Sequence, residues 1–356
     1  MPTLKNLALL LGLAALPLTS LADKSTGTLD VYWIDVEGGG ATLIVTPQSE
    51  SILIDSGNPG GRDSGRIHRT ITEVAGLKQL DHLITTHFHL DHFGGAAELA
   101  SKLPIKHVWD NGVPERSPDN RPQDTRFPLL IKPYRDMKVG QRHVIKPDTA
   151  LPLAKPSNGT AFTLKCIAAN QLFSTKKPAQ KDNPKSENIT LKKKDRSDNA
   201  NSVVMIMELG GFRFFDGGDL TWNVEGELVS PDNIPGTVDV YQVNHHGLDN
   251  SNNPLLIKSL SPTVSVMANG VTKGCGPETF ATLKSTPGIE AMYQAHKNLR
   301  KDGHNNTADE YIANHTKDCD ADLIVMNVAP DGGSYTIQIP SSGHKRTFKT
   351  RQNHLR

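Results

Sequence analysis

The sequence of 356 residues contains few cysteines and almost no net charge. Its three cysteines do not suit a disulfide-dense scaffold, and the spacing of Cys166, Cys275 and Cys319 matches no zinc motif. One pair could form a disulfide in an oxidising compartment; the simpler interpretation is buried or incidentally paired thiols. The 39 Lys and Arg against 38 Asp and Glu leave a formal charge of +1, which gives no overall reason to expect a nucleic-acid partner.

Long apolar runs are also lacking after the N-terminus, where no segment approaches 18 apolar residues, so no membrane span is expected there. Near the start, the apolar residues 7–18 follow Lys5 and precede the small-x-small sequence SLA at residues 20–22. This pattern is typical of a cleaved secretory signal, although a buried N-terminal helix is the alternative. We therefore expect a signal peptide over residues 1–22, one domain over residues 23–356, and a secreted or periplasmic location.

Short apolar stretches separated by Gly, Pro and Ser predict strands along the mature chain. They cover residues 29–36, 41–46, 51–55, 83–86, 162–169, 202–209, 212–216, 238–243, 263–267, 323–328 and 335–339. One helix is expected where Ile67, Ile71, Val74 and Leu77 share a face, and another over residues 94–103. The proline-rich residues 104–156 show little periodicity and predict long loops with brief strands.

The two halves of the chain contain a weak repeat. The sequence ATLIVT…SILIDSG in the first half is similar to SVVMIMEL…FRFFDGG in the second, each reading as strand, turn, strand and then Asp-x-Gly. A duplicated β-rich unit, with helices covering two packed sheets, would explain this similarity, although a short repeat can also arise by chance.

A basic segment lies between the halves. Residues 171–198 hold eight basic and four acidic side chains, a net charge of +4, and few apolar ones. Such composition usually indicates a solvated loop insertion, and the functional alternative is capture of an anionic substrate.

The chemistry is indicated by the sequence TTHFHLDHFGG, which starts at Thr85. Four metal-ligand side chains, those of His87, His89, Asp91 and His92, occur within six residues, directly after an apolar strand. Imidazoles combined with a carboxylate suit Zn²⁺ or a similar divalent ion. The alternative, a solvent-exposed histidine-rich loop, fits poorly with the strand, turn and helix around the motif.

These residues resemble the HxHxDH signature of the metallo-β-lactamase superfamily, and further elements follow in the expected order. Asp55 in LIDSG resembles the aspartate that steadies the metal loop. Asp219 in FFDGGDL resembles the metal-bridging aspartate, and His245-His246 in NHHG resemble the late histidine motif. The opening WIDVEGGGATLI and the NHHG sequence are most similar to the hydrolase domain of ComEC-type DNA-uptake proteins. The resemblance implies an α/β fold, a four-layered αββα sandwich.

The resemblance also implies the metal ligands and their roles. His87 and His89 would bind one ion, Asp91 and His92 a second, and Asp219 would bridge the two; the late ligand would be His246, with His245 as the alternative. The expected cofactor is one or two Zn²⁺ ions, with Mn²⁺ possible. A bridging water would lose its proton near neutral pH and attack an ester, amide or phosphoryl centre, with Asp91 and Asp219 as catalytic residues.

Two departures from the family pattern qualify this interpretation. The third histidine that the family places before the bridging aspartate is missing, because the corresponding residues 198–202 read DNANS. Asn201 or Ser202 could replace it as a weak oxygen ligand near the site, which predicts an exchangeable first ion or a single-metal enzyme. In addition, Gly40 stands where ComEC-like domains typically have aspartate, which argues against nuclease activity.

Weaker signals lie in the last third of the chain. His296 and His304 could approach the mouth of the site, although a lone histidine in a polar loop is more simply explained as solvated. Residues 272–279 (TKGCGPET) could hold an anion at a helix start, but an ordinary Gly/Pro turn explains them as well.

The sequence thus predicts a secreted or periplasmic metal-dependent hydrolase that acts on a small or anionic substrate. A phosphodiester or another phosphate ester is the first choice. The alternatives are a lactone or β-lactam ring hydrolase with the same metal centre, and a non-catalytic metal-binding protein with this fold. Nucleic acid is a possible partner that the net charge does not support.

Overall fold

The computed structural model describes residues 27–119, 121, 123–186, 190–302 and 305–352. The expected signal peptide and His304 lie outside these residues. Within them, every helix is too short or too polar to cross a membrane.

The described residues form strands along the whole chain. They are β1 Leu29–Trp33, β2 Thr42–Val45, β3 Ser51–Ile54, β4 Leu80–Ile84, β5 Ile105–Asp110, β6 Gln141–Val144, β7 Phe162–Ala169, β8 Leu172–Phe173, β9 Val204–Leu209, β10 Phe212–Asp216, β11 Val240–Gln242, β12 Val264–Met267, β13 Ala291–His296, β14 Ile312–Asn314, β15 Ile324–Val328, β16 Ser334–Ile339 and β17 His344–Lys349.

Helices connect many of these strands. They are α1 Arg62–Arg69, α2 Leu90–Phe93, α3 Ala96–Ala100, α4 Phe127–Asp136, α5 Trp222–Leu228, α6 Pro254–Leu260 and α7 Pro277–Ser285. A π-helical turn, Thr70–Val74, extends α1, and short 3-10 turns occur at Asp198–Asn201, Asn244–Gly247 and Asp309–Tyr311.

The strands form two large sheets with the same internal order. The first has nine strands in the order β17-β16-β15-β1-β2-β3-β4-β5-β6, and the second has eight in the order β14-β13-β12-β11-β10-β9-β7-β8. From β1 to β6, two antiparallel pairings are followed by three parallel ones, and the series β7, β9, β10, β11, β12, β13 repeats this pattern. The duplication expected from the sequence repeat is therefore confirmed.

Alternating side chains of the strands create four layers. In β2, Ile44 joins the apolar cluster between the sheets, where it shares a core with Phe214 of β10, whereas Leu43 points to the other face. That outer face packs against α1, α3 and α4, and the outer face of the second sheet packs against α5, α6 and α7. Since strand side chains alternate between faces, near-continuous apolar strands allow both faces to be covered. The expected αββα sandwich is confirmed.

The expectation of loops with only brief strands over residues 104–156 is wrong in one respect. Helix α4 lies there, and its residues Phe127, Ile131 and Tyr134 are buried on one face. Its two prolines conceal the helix in the sequence. Pro128 is tolerated in the first turn, but Pro133 lies inside the helix, where proline normally signals a break.

The parallel strands place the functional motifs together. Asp55 follows β3 and the histidine motif follows β4; in the repeated unit, Asp219 follows β10 and His245 follows β11. The carboxyl ends of these four strands meet at one edge of the sandwich, where the candidate site lies.

Candidate metal centre

Seven side chains predicted from the sequence come together at this edge. Their possible ligand atoms form two groups that share Asp219, one with His87 and His89 and the other with Asp91, His92 and His246. The carboxylate of Asp219 can therefore act as a common ligand of two neighbouring cations. His245, the alternative late ligand, lies directly beside the same aspartate.

The larger group is compact and buried. The Nε2 atom of His92 lies 3.2 Å from Oδ2 of Asp219, 3.4 Å from Oδ2 of Asp91 and 3.3 Å from Nε2 of His246. His246 also lies 3.4 Å from Oδ1 of Asp219. Donor atoms about 2.0–2.2 Å from a tetrahedral ion are separated from each other by about 3.4 Å, so these distances fit a divalent cation.

The smaller group contains unsatisfied buried atoms. Nε2 of His87 lies 3.8 Å from Oδ2 of Asp219, and neither this nitrogen nor Oδ1 of Asp219 has a hydrogen-bond partner among the described residues. A buried polar atom without a partner costs about 1–3 kcal/mol, so such atoms are expected where an ion or ligand completes the site. The residues present therefore fit a metal.

Asp55 links the first strand end to the histidine motif. Its carboxylate accepts hydrogen bonds from the amide N–H of Thr86 at 2.8 Å and from the Thr86 hydroxyl at 2.7 Å. The same carboxylate lies 2.7 Å from Nδ1 of His92. It thereby holds the loop and the ring orientation together, which is the role that the family resemblance implied.

Both late histidines have a strained backbone. His245 and His246 have φ values of 52° and 55°, which lie in the left-handed region that residues other than glycine rarely occupy. Each such residue costs on the order of 1–3 kcal/mol and persists only where its surroundings hold it. The N–H of His245 donates to the carbonyl of Gly218 at 3.0 Å, so the strained turn is tied to the loop that carries Asp219.

The carboxylates and imidazoles shift each other's protonation. Burial opposes the shift, but His92, His245 and His246 together hold the pKa of Asp219 well below its ordinary value. Burial lowers the pKa of His245 to about 4 and that of His87 well below its usual range. These two imidazoles are therefore neutral near pH 7, the form in which histidine binds a metal.

The replacement for the missing third histidine stays a prediction, and the structure shows what the two expected candidates contact. Asn201 uses its amide to contact Gln171 and Asp198, and the Ser202 hydroxyl accepts the N–H of Asp219. Instead, the 3-10 turn Asp198–Asn201 directs Asn199 inward.

The amide nitrogen of Asn199 lies 3.1 Å from Nε2 of His245, and its carbonyl oxygen is buried without a partner among the described residues. His245 in turn lies 3.4 Å from Oδ2 of Asp219. Successive side chains of a 3-10 turn point in directions about 120° apart, so the letters DNANS alone could not show which one faces inward.

Two further contacts were missed by the sequence interpretation. Lys273, in the loop after β12, brings its ammonium group directly against the carboxylate of Asp91. Asp119 lies 2.8 Å from Nε2 of His89 and raises the pKa of that imidazole, against the effect of burial. Lys273 falls within the TKGCGPET sequence, which hinted at an anion site, whereas nothing near Asp119 distinguishes it in the sequence.

Gly40 is required by close packing at the site. A Cβ atom on this residue would lie 2.8 Å from Oδ2 of Asp55 and 2.9 Å from Nδ1 of His92. The aspartate that ComEC-like domains typically have here would collide with the Asp55–His92 pair in the conformation seen.

The basic segment approaches the same edge through its end. Asp198 accepts the N–H of Phe88, between the first two histidines, at 2.6 Å. The exposed Lys193, Lys194 and Arg196 precede it by only a few residues. The end of the segment is thus connected to the histidine loop, while most of its described residues are exposed, as expected for a solvated loop.

The remaining cysteine and histidine expectations are resolved as follows. All three cysteines lie among the described residues and are free thiols. His296, expected to be solvated, is buried and lies 2.9 Å from Asp35.

Of the comparisons with known proteins, the match to a family model is the one that bears on the superfamily, and it covers residues 35–161. No curated protein matched the sequence. A solved structure of a CmlA beta-hydroxylase mutant is 14% identical, with 75% of this chain and 52% of that chain covered and a TM-score of 0.42, so the match spans about half of that protein.

A subclass B3 metallo-beta-lactamase from a soil metagenome library is 14% identical, with 60% of this chain and 76% of that chain covered and a TM-score of 0.37. A diphosphatase from the PhnP family is 9% identical, with 68% and 87% covered and a TM-score of 0.36. None of these likenesses bears on the reaction of this chain. The ComEC-type relationship stays a prediction. Residues 35–161, which include Asp55 and the entire HxHxDH motif, match the family model of the metallo-beta-lactamase superfamily.

Proposed function

We propose that the protein is a metal-dependent hydrolase that acts on a phosphodiester or another phosphate ester. The ligand sets are those of the two groups around Asp219. His246 belongs to the group of Asp91 and His92, and His245, whose Nε2 lies 3.4 Å from Asp219, would supply a third imidazole to the ion held by His87 and His89. Divalent ions bound there would supply Lewis acidity and lower the pKa of water, the chemistry that hydrolysis needs near neutral pH.

The residues of the chain prepare this site. Asp219 is kept anionic by the surrounding imidazoles, and Asp55 fixes His92 with Nε2 directed inward. Fixed charges and orientations do not need to reorganise during the reaction, which is how preorganised sites lower a barrier. Asp91 faces the inner side of the site next to Lys273, where it can orient a reacting water.

The observation that carries the choice of substrate is the position of Lys273. Its ammonium group lies against a candidate metal ligand, yet about 40% of the side chain is exposed. A cation at the mouth of a metal site attracts an anionic ester and does little for a neutral lactone. The exposed basic residues before Asp198 add positive charge on the side of His87 and His89.

Comparing substrates on the same metal-loaded protein tests the proposal. We expect turnover of bis-(p-nitrophenyl) phosphate that is faster than turnover of a neutral lactone or nitrocefin. Turnover of the lactone or nitrocefin without the phosphodiester would favour the ring-hydrolase alternative. Metal binding without any turnover would favour a non-catalytic protein.

A lysine substitution isolates the proposed role of charge. We expect Lys273→Met to lower kcat/KM for the phosphodiester about tenfold, the effect of roughly 1.4 kcal/mol, with little change for the lactone. The matched control is Lys258→Met on α6, an exposed lysine away from both groups. Equal losses on charged and neutral substrates would mean that Lys273 supports the site structurally.

We also propose that the protein acts in a secreted or periplasmic location. The support is the N-terminal sequence pattern, with its apolar run followed by SLA at residues 20–22. N-terminal sequencing of the protein exported from cells should begin at Asp23. An intact Met1 on the accumulated protein would contradict the proposal.

A further inference from the structure

A second cluster of metal-ligand side chains shares no residue with the groups around Asp219. It consists of Asp35 just after β1, His296 at the end of β13, and Cys319 in the connection between β14 and β15. One carboxylate, one imidazole and one thiol therefore converge from three distant parts of the chain. Nitrogen and sulfur ligands together are typical of zinc sites.

The distances in this cluster fit one tetrahedral ion. Nε2 of His296 lies 2.9 Å from Oδ1 of Asp35, and Sγ of Cys319 lies 3.4 Å from Oδ2 of Asp35 and 3.9 Å from Nε2 of His296. Zinc bond lengths of about 2.1 Å to nitrogen or oxygen and 2.3 Å to sulfur place tetrahedral ligand atoms about 3.4–3.6 Å apart. Each observed separation differs from this by about 0.5 Å or less.

Burial and charge are also compatible with a cation. The side chains of Asp35 and His296 are each 1% exposed, whereas Cys319 is partly exposed, so water can complete the coordination on that side. A carboxylate and a thiolate would neutralise a divalent ion. Arg66 contacts Oδ2 of Asp35 at 2.9 Å and approaches Sγ of Cys319 at 4.0 Å. Glu37, which also pairs with Arg62, lies 3.5 Å from Arg66.

A cavity lies near the cluster, and its lining includes Arg66, which contacts Asp35. This cavity of about 520 Å³ is also lined by residues that flank the ligands in sequence, Ile34 beside Asp35 and Asp320 beside Cys319. Access from solvent is one requirement for a site that loads an ion after folding.

We propose that Asp35, His296 and Cys319 form a third divalent-metal site, which takes Zn²⁺ or a similar borderline-soft ion. The site joins the end of β1 in the first sheet to the end of β13 in the second. It also holds the connection through which the chain returns from the second sheet to the first. Its expected role is to stabilise this junction, and it does not depend on the hydrolase proposal.

Cobalt substitution distinguishes this site from the histidine centre. The groups around Asp219 offer only nitrogen and oxygen donors, whereas the proposed site includes a thiolate. Titrating the reduced full chain with Co²⁺ should therefore produce a thiolate-to-Co²⁺ charge-transfer band in the near ultraviolet. Cys319→Ala should abolish the band and remove about one equivalent of bound ion.

Three variants complete the test. Cys275→Ala removes a buried thiol outside the proposed site and should keep the band. Asp219→Asn damages the histidine centre and should also keep it. His296→Asn should weaken or abolish it, a result that does not depend on the folding of the Cys319 variant. Absence of the band in the wild-type protein, or its persistence in Cys319→Ala, would overturn the proposal.

Discussion

The carboxylate of Asp55 lies 2.7 Å from Nδ1 of His92, while Nε2 of the same ring lies 3.2 Å from Asp219. This contact points Nε2 into the candidate metal centre, where, against the effect of burial, Asp219, Asp91 and Asp55 raise the pKa of the imidazole, so a bound ion would take the place of the proton on Nε2. Partners of this kind fix the tautomer and orientation of a metal-binding histidine and raise its basicity. The geometry of the centre therefore depends on Asp55, which belongs to neither group of possible metal ligands.

Gly40→Ala should disturb this pair without touching a ligand. The added methyl group would approach both Asp55 and His92 within 3 Å, so one of them must move. We expect metal affinity to fall about tenfold, in the range seen when the partner of a metal-binding histidine is lost. Equilibrium dialysis with Zn²⁺ measures the change.

The matched control is Gly65→Ala in α1. A Cβ atom there meets nothing within 4 Å, and alanine is favoured over glycine in a helix by roughly 0.5–1 kcal/mol. Metal affinity should be unchanged and thermal stability equal or higher. Unchanged affinity in Gly40→Ala would show that the Asp55–His92 contact does not control binding.

Asp219→Asn should reduce binding at both groups. Its two carboxylate oxygens face different imidazoles, Oδ2 facing His92 and His245 and Oδ1 facing His246. An amide nitrogen cannot bind a cation. If the wild type binds two ions in the groups around Asp219, we therefore expect the variant to lose more than one equivalent of metal. Elemental analysis of dialysed protein gives the count.

Asp110→Asn is the control for this substitution. Asp110 is also buried at a strand end, but it bonds to Tyr134 and to the N–H of Gly112, and an asparagine can retain both contacts. Its metal content should equal that of the wild type. A full metal complement in Asp219→Asn would contradict the shared-carboxylate assignment.

The adjacent histidines should serve different ions. His246→Ala should lower binding at the group of Asp91 and His92, and His245→Ala should lower binding at the group of His87. Effects at separate sites add, whereas effects at one site do not. The double variant should therefore lose about as much as both single variants together, and a double variant no worse than His246→Ala would assign both residues to one ion.

The parts that could be predicted from the sequence are those with a local pattern. The HxHxDH motif needs only six consecutive residues. The strands are recognisable as short, nearly continuous apolar runs, such as those that became the fully buried β2 and β3. The layered fold follows from them because such strands need covering on two sides.

The parts that could not be predicted depend on contacts across the closed sandwich. Lys273 reaches Asp91 across 182 residues, and Asn199 reaches His245 across 46. Both residues lie in segments that the sequence analysis singled out, but nothing in those segments indicates the partner of either side chain. The inward direction of Asn199 is decided by a single 3-10 turn. Asp35, His296 and Cys319 are likewise far apart in the sequence, and only the folded chain brings them together.

The free energy of unfolding is expected to depend on pH through His82, a buried residue of β4 that belongs to neither ligand group. Burial, with a further contribution from His107, lowers the pKa of His82 to about 4 in the folded protein, compared with about 6.5 in an unfolded chain. Between these values the unfolded state binds a proton that the folded state does not. The free energy of unfolding should therefore fall as the pH drops from about 6.5 toward 4.

His82→Asn should make this acid limb shallower, and the slope that remains comes from the buried His87 and His245, whose pKa values are also lowered. The indole N–H of Trp109 donates to Nδ1 of His82 at 3.1 Å, and the amide oxygen of asparagine can accept that bond without titrating. Thermal unfolding of the metal-free protein at several pH values between 4 and 7 measures the slope. Substituting the exposed His315 by asparagine should leave the slope as in the wild type, because water surrounds this side chain in the folded and unfolded chain alike. An acid limb equally steep in His82→Asn would place the responsible proton elsewhere.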